Sequence, residues 1–139
     1  EGIELEVLAP GAHLFEGESG ANNNGIVLRL TYGLTSFLFA ADIEAEGELL
    51  LLGRQPDLRS SVLKVAHHGS DSSTSALFLE AVAPQVAVVS VGKDNLYGHP
   101  SPQVVSRLRQ SGASVYTTAR HGAVEVTTDG SRLWVRTDR

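Results

Sequence analysis

The largely apolar run Val62 to Ala66 ends directly in His67, His68 and Gly69, and no other feature of the chain constrains its fold as much. A short run of branched and small apolar residues predicts a strand buried on both faces of a sheet. The Gly- and Ser-rich residues after it predict a loop, so the two imidazoles follow the carboxyl end of that strand. Open α/β sheets bind their ligands at this edge, where a neutral imidazole can bind a metal ion or carry a proton. The pair therefore predicts a functional site.

The composition is that of an ordinary globular protein, with 139 residues, 42% hydrophobic and 19% charged. This length predicts a single domain over residues 1–139, large enough to bury a core. The formal net charge of −5 argues against binding nucleic acid through a broad basic surface, although metal ions can supply positive charge at a nuclease site. The absence of cysteine excludes disulfides and thiolate ligands, which leaves His and Asp to hold any metal.

Hydrophobic periodicity predicts an α/β (α+β) fold in which helices pack on a mixed sheet. The expected strands are 3–7, 26–32, 36–41, 62–66, 86–91, 115–118, 123–127 and 133–137, and the expected helices are 44–52, 75–83 and 101–111. Ser101-Pro102 is a typical helix start, and Asp129-Gly130 is a typical hairpin turn. The chain lacks methionine and a basic leader segment, so we expect it to be a piece of a longer protein.

Two further predicted strands are followed by candidate functional residues, Asp42 and His99. A carboxylate and imidazoles that converge from different strands are how an α/β layer builds a hydrolytic metal site. Each residue also has a simpler interpretation, since Asp42 could cap the following helix and one adjacent histidine could be buried against backbone. The convergence of several such residues favours the site.

The remaining polar motifs are weaker. His13 lies in a Gly-rich loop and His121 in a predicted turn, so both are expected to be solvated. The serines after Gly69 lack the Gly-x-Ser-x-Gly motif of serine hydrolases, and no Gly-rich phosphate-binding motif is present. The three consecutive residues Asn22 to Asn24 are expected to form a turn before a strand.

Several motifs, in order, resemble the carboxy-terminal metallo-β-lactamase-like domain of ComEC-type competence proteins, the DNA-uptake channels of transformable bacteria. The matching stretches are 22–30, 37–44, 63–70, 88–92, 95–100, 115–118 and 122–124. His-His-Gly-Ser and Asn-x-Tyr-Gly-His-Pro are specific in combination. The resemblance covers the chain from about Asn22 to Val126 without large gaps.

The resemblance implies an αββα fold and assigns roles to four residues. Asp42 matches the metal-bridging aspartate, and His68 matches the terminal histidine ligand that follows one helix and one strand later. His67 and His99 are then the catalytic candidates. His67 would contact a metal ligand or the phosphate, and His99 would contact the leaving group or the phosphate. The implied cofactor is a divalent metal, Zn or Mn.

The chain departs from the family pattern at two points. Ala41 precedes Asp42 where the family usually has glycine, and the main ligand motif His-x-His-x-Asp-His is absent and would precede Glu1. The resemblance therefore implies the carboxy-terminal half of the fold, a mixed sheet with about three helices. We expect an incomplete metal site, an inactive isolated chain with little or no bound metal, and an exposed apolar sheet face that favours a homodimer.

The parent protein implied by the resemblance is a metal-dependent nuclease that degrades the DNA strand that is not transported. Its implied partners are single-stranded DNA, the missing amino-terminal half of the domain and a membrane channel region. The implied location is the bacterial plasma membrane, with this domain on the extracytoplasmic face. Two alternatives stay open: a non-catalytic scaffold of the channel, or a metallo-hydrolase acting on a small phosphoester or lactone.

Overall fold

A computed structural model describes residues 2–139, which form a six-stranded mixed sheet, a separate two-stranded sheet and five helices. The strands are β1 (Glu4–Ala9), β2 (Val27–Tyr32), β3 (Thr35–Phe39), β4 (Val62–Lys64), β5 (Val86–Val89), β6 (Ser114–Thr117), β7 (Val124–Thr128) and β8 (Leu133–Thr137). The helices are α1 (Gly20–Asn23), α2 (Ala45–Arg54), α3 (Ala76–Val82), α4 (Pro102–Gln110) and α5 (Thr118–His121). The predicted α/β class is confirmed, and the three predicted helices correspond to α2, α3 and α4.

The six-stranded sheet has the strand order β1-β2-β3-β4-β5-β6. The pairs β1–β2 and β2–β3 are antiparallel, whereas β3, β4, β5 and β6 run parallel to one another. The carboxyl ends of β3, β4 and β5 therefore lie side by side at one edge of the sheet. No helix within residues 2–139 is long and apolar enough to cross a membrane.

One face of the sheet packs against the three longer helices and forms the core. Phe78 of α3 and Leu108 of α4 are fully buried among sheet residues such as Leu38 and Leu63. The predicted start of α4 is confirmed, since the Ser101 Oγ accepts a hydrogen bond from the Val104 N–H at 3.2 Å and Pro102 occupies the first turn.

The last two strands differ from the expectation of one continuous mixed sheet, because β7 and β8 form a hairpin of their own. α5 and Gly122, at φ 72°, redirect the chain after β6. The hairpin then packs on the sheet face opposite the helices, where Val124 and Val126 line a cleft with Phe37 and Val62. Its turn is attached to the β2–β3 turn, where the Leu34 N–H donates to the Gly130 carbonyl.

The sheet face opposite the helices is not covered by the hairpin over β1 and β2. Leu5 and Val7 of β1 pair with Leu30 and Leu28 of β2, which places all four side chains on one face. Leu5 is 61% exposed and Val7 65% exposed, although both are apolar. The expected exposed apolar sheet surface is therefore present, on the outer strand β1 and its neighbour β2.

Candidate active site

The candidate site lies where β3, β4 and β5 end next to one another. Asp42 follows β3, the two adjacent histidines follow β4, and Ser90 follows β5. This arrangement arises because parallel neighbouring strands end at a common edge. The structure thus brings together Asp42 and His68, as the sequence predicts, and it adds the backbone carbonyl of Ser90.

Asp42 and His68 face each other across a solvent-accessible gap. The His68 Nε2 lies 3.8 Å from the Asp42 Oδ1, and the two side chains are 51% and 46% exposed. The His68 Nδ1 lies 2.7 Å from the Ser90 carbonyl oxygen, which can only accept a hydrogen bond, so Nδ1 must carry the proton. In the neutral ring Nε2 is then unprotonated and directed at the carboxylate, as is usual for a metal-ligating histidine held by a backbone carbonyl.

This pair fits a divalent metal ion in part. Two ligand atoms bound to one zinc ion at about 2.0–2.2 Å can lie at most about 4.4 Å apart, which accommodates the gap between Asp42 and His68. Carboxylate oxygen and imidazole nitrogen also suit both Zn and Mn. Within residues 2–139, however, no group of three or more His, Asp or Glu side chains is arranged to hold a metal ion. Asp42 and His68 could therefore supply two ligands to such an ion, but they do not form a complete set of side-chain ligands within the described residues.

His67 faces a different carboxylate, that of Glu44. The His67 Nδ1 lies 3.6 Å from the Glu44 Oε1 and, although buried, has no hydrogen-bond partner. The imidazole contacts the His99 ring edge-on, with the centroids 6.0 Å apart. The structure therefore places the two catalytic candidates, His67 and His99, side by side, and His67 directly precedes the metal candidate His68 in the chain.

Glu44 is held in place by residues of α1 and its N-cap. Its Oε1 accepts a hydrogen bond from the Asn22 Nδ2 at 2.8 Å, and its Oε2 accepts one from the Ser19 Oγ at 2.9 Å. These bonds, the Asn22 bond first, hold the pKa of the Glu44 carboxyl below its usual range. Its backbone N–H donates to the Asn23 Oδ1 at 2.8 Å. The asparagines expected to form only a turn therefore position a carboxylate of the site, and the Asn-Asn-Asn run was the available signal.

The backbone of the two histidines is left-handed. His67 has φ 46° and ψ 42°, and His68 has φ 53° and ψ 22°. Such a conformation costs a non-glycine residue about 1–2 kcal/mol, and strained residues of this kind cluster at functional sites. The turn is fixed by a hydrogen bond from the His67 N–H to the Ala41 carbonyl at 3.1 Å. Because Ala41 immediately precedes Asp42, this bond also sets the spacing between the two candidate ligands.

Gly69 completes the left-handed turn and contacts the His99 loop. Its φ is 81°, and a Cβ at this position would lie 2.6 Å from the Pro100 Cβ. The Ser101 N–H donates to the Gly69 carbonyl at 2.8 Å. The His-His-Gly turn and the Gly-His-Pro loop are therefore packed backbone to backbone, which explains why both motifs occur together.

A buried carboxylate fixes the serine-rich loop that follows Gly69. Glu48 of α2 is fully buried, and its two carboxylate oxygens accept hydrogen bonds from the backbone N–H groups of Thr74 and Ser75. The Ser73 Oγ donates to the Ile43 carbonyl at 2.9 Å. The Ser73 hydroxyl thus stabilises the loop, which agrees with the absence of a serine-hydrolase motif. The sequence does not distinguish the buried Glu48 from the exposed Glu46 of the same helix.

Lys64 is a cation of the site that the sequence did not reveal. It is the last residue of β4, and its ammonium donates to the Val65 carbonyl at 2.9 Å. Burial lowers the pKa of this ammonium, and the nearby Asp42 carboxylate partly opposes the change.

The other two histidines lie outside the site. His13 is exposed, as expected for a Gly-rich loop. The expectation of a solvated His121 is wrong, because its ring is half-buried in α5, 5.4 Å from the Tyr116 ring, and its Nδ1 lies 3.0 Å from the Thr117 backbone. Asp42, for its part, does not cap α2, which begins after Glu44.

Comparisons with known proteins identify relatives among competence proteins. The chain is 33% identical over 123 residues to ComE operon protein 3 of Bacillus subtilis and 36% identical over 126 residues to competence protein ComA of Neisseria gonorrhoeae. These matches cover 88% and 90% of the chain but only 16% and 18% of the relatives. Recombination protein 2 of Haemophilus influenzae matches the whole chain at 31% identity over 17% of its own length. No family profile matches the chain.

Proposed function

Because the chain belongs to the ComEC family of competence proteins, we propose that it supplies part of a metal-dependent phosphodiesterase site to a DNA-uptake protein. The observation that carries this proposal is the convergence of the Asp42 Oδ1 and the His68 Nε2, 3.8 Å apart at the sheet edge. The Ser90 carbonyl fixes the proton of His68 on Nδ1 and so leaves Nε2 available as a ligand.

The four candidate residues divide into two pairs. Asp42 and His68 would hold the metal, which supplies an activated water and neutralises phosphate charge when bound. His67 and His99 lie beside this pair with their rings 6.0 Å apart, within reach of a phosphodiester at the sheet edge. Imidazoles so placed can contact phosphate oxygens and exchange a proton with the leaving oxygen.

The remaining ligands would come from another part of the parent protein. The chain spans less than a fifth of the length of the relatives it matches, so most of those proteins lies outside the aligned stretch. The open apolar face around Leu5 and Val7 is a suitable surface for a second sheet, as in the αββα metallo-β-lactamase-like fold. With only two ligands present, the isolated chain would bind metal weakly or not at all and would be catalytically inactive.

The isolated chain would cover the open apolar face around Leu5 and Val7 by forming a homodimer. An exposed apolar edge strand such as β1 readily pairs with a second copy. Light scattering should report a dimer at high concentration, and Leu5→Lys with Val7→Lys should shift it to a monomer. A wild-type monomer at every concentration would contradict this part of the proposal.

The proposed substrate is the single strand of DNA that is not taken up. The names of the relatives refer to competence and recombination, which supports DNA over a small phosphoester or lactone. A parent in the plasma membrane would place the domain on the extracytoplasmic side, because the strand must be degraded before entry.

The test uses a longer polypeptide of the parent that includes the segment preceding this chain. It should cleave single-stranded DNA in Mn²⁺ or Zn²⁺, and Asp42→Ala and His68→Ala should each abolish cleavage. His13→Ala, which replaces an exposed histidine outside the site, serves as the matched control. Hydrolysis of bis-p-nitrophenyl phosphate without DNA cleavage would favour a small-substrate hydrolase. No hydrolysis of either would favour a scaffold.

A further inference from the structure

The loop between β5 and α4 displays two apolar side chains in solvent beside the candidate site. Leu96 is 98% exposed and Tyr97 is 83% exposed, and the Tyr97 ring stacks on His99. We propose that Tyr97 and His99 form a stacking platform that binds a base of single-stranded nucleic acid. The proposal rests on the proposed function for the identity of the substrate. It adds Tyr97 to the four candidate residues and so provides a subsite for binding a base.

The loop that carries Tyr97 is held in one shape by Asn95. The Asn95 Nδ2 donates to the Gly92 carbonyl at 3.0 Å and to the His99 carbonyl at 2.7 Å, and its Oδ1 accepts from the His99 N–H at 3.0 Å. These three bonds connect the residues on either side of Tyr97 and so fix the conformation of the loop. A ring positioned in advance loses less conformational entropy on binding than a ring on a mobile loop.

The stack leads from solvent to the catalytic candidates. The Tyr97 and His99 rings are nearly parallel, at 20°, with centroids 5.8 Å apart, and His99 in turn contacts the edge of His67. His99 lies offset against Tyr97 and leaves most of that side chain exposed, so the Tyr97 ring is available to a planar ligand. A base stacked there would place its own phosphodiester near the sheet edge that holds Asp42 and His68.

A nucleobase is the ligand that these properties favour. Stacking on an aromatic face is the main sequence-independent contact to single strands and accepts any base, whereas a duplex keeps its bases inside. The chain carries a formal net charge of −5, and within the loop Lys93 is offset by Asp94. Binding at this subsite should therefore depend on the base much more than on salt, unlike binding through a basic surface.

The test is an NMR titration of the 139-residue chain, without metal, with tetrathymidylate and with the same sugar-phosphate tetramer lacking bases. Millimolar tetrathymidylate should shift resonances of the Tyr97 and His99 rings, and the abasic tetramer should not. Tyr97→Ala should weaken binding by about 5- to 150-fold, the range for loss of one stacked base, while Tyr97→Phe should retain it. Trp134→Ala is the matched control, since it removes a half-exposed aromatic ring from β8, outside the site.

Equal binding of both tetramers, no shift at millimolar concentration, or unchanged affinity in Tyr97→Ala would overturn the platform. If Tyr97→Ala leaves the affinity for tetrathymidylate unchanged but destabilises the longer polypeptide, Leu96 and Tyr97 would instead contact another part of that polypeptide. Because the titration needs no catalysis, base binding without any cleavage by the longer polypeptide would retain the platform and reject the proposed nuclease.

Discussion

The Nδ1 of His67 lies 3.6 Å from the Oε1 of Glu44, and this carboxylate is the group that faces the otherwise unpartnered ring nitrogen. Glu44 is tied in turn to Asn22 and Ser19, so the orientation of a catalytic candidate depends on a segment more than 40 residues earlier in the chain. A carboxylate in this position can fix the tautomer and the ring orientation of a histidine. Glu44 is therefore a positioning residue of the candidate site.

Glu44→Ala should release the His67 ring and cost about 1–2 kcal/mol of stability, because Asn22 and Ser19 lose their acceptor. The measurement is the His67 ring signals in NMR, together with chemical denaturation. Glu46→Ala, which replaces an exposed carboxylate in the first turn of α2, is the control and should change stability by less than about 0.5 kcal/mol. An unchanged His67 ring in Glu44→Ala would show that the contact does not position it.

Glu48→Ala should destabilise the fold by about 2–5 kcal/mol. The change leaves the buried N–H of Thr74 and the partly buried N–H of Ser75 without their acceptor and opens a cavity beside α3. Urea denaturation measures the loss, with Glu46→Ala again as the exposed control. A loss below about 1 kcal/mol would mean that water or another group replaces the carboxylate.

Gly69→Ala should separate the two motif loops and cost about 2–4 kcal/mol. The methyl group would be strained at φ 81° and would overlap Pro100. Gly92→Ala is the control, since a Cβ there meets nothing within 4 Å. Thermal denaturation of both variants distinguishes the outcomes, and equal melting temperatures would contradict the close packing of the loops.

The hairpin turn at Asp129 predicts a pH dependence. Backbone N–H groups of Arg132 and then Ser131 hold the pKa of the Asp129 carboxyl below its usual range. A carboxyl whose pKa is lower in the folded state stabilises the fold above its unfolded pKa, and this contribution is lost as pH falls through the folded pKa. Asp129→Ala should therefore have a lower melting temperature than the wild type at neutral pH, and the difference should shrink in acid. A difference that grows in acid would contradict this sign.

The sequence predicts this edge of the sheet well because the predicted strands 36–41 and 62–66 are largely apolar and each is followed at once by a polar residue, Asp42 or His67. Asp42 and His68 could be placed from that pattern alone. The contacts that orient them could not, because Glu44 meets Asn22, and Glu48 meets Thr74, across more than 20 residues of chain. Such contacts depend on how α1, α2 and the serine-rich loop pack, and no local periodicity encodes them.

The β7–β8 hairpin is a second case in which the sequence does not determine a tertiary arrangement. The residues of β7 and β8 predict two strands and the turn between them, and the structure confirms both. Their separation from the main sheet follows from the bend at Gly122 and from packing on Val62 and Phe37, which are tertiary effects. A strand pattern indicates that a segment pairs, but not which strand it pairs with.

The most direct test of the account is the metal affinity of the longer parent polypeptide carrying His68→Ala or His67→Ala. The His68 Nε2 is free to bind metal opposite Asp42, whereas His67 is turned toward Glu44. We predict that His68→Ala weakens metal binding by more than about 100-fold and that His67→Ala leaves the metal bound while cleavage slows. Loss of metal in His67→Ala with retention in His68→Ala would contradict the assignment of the site.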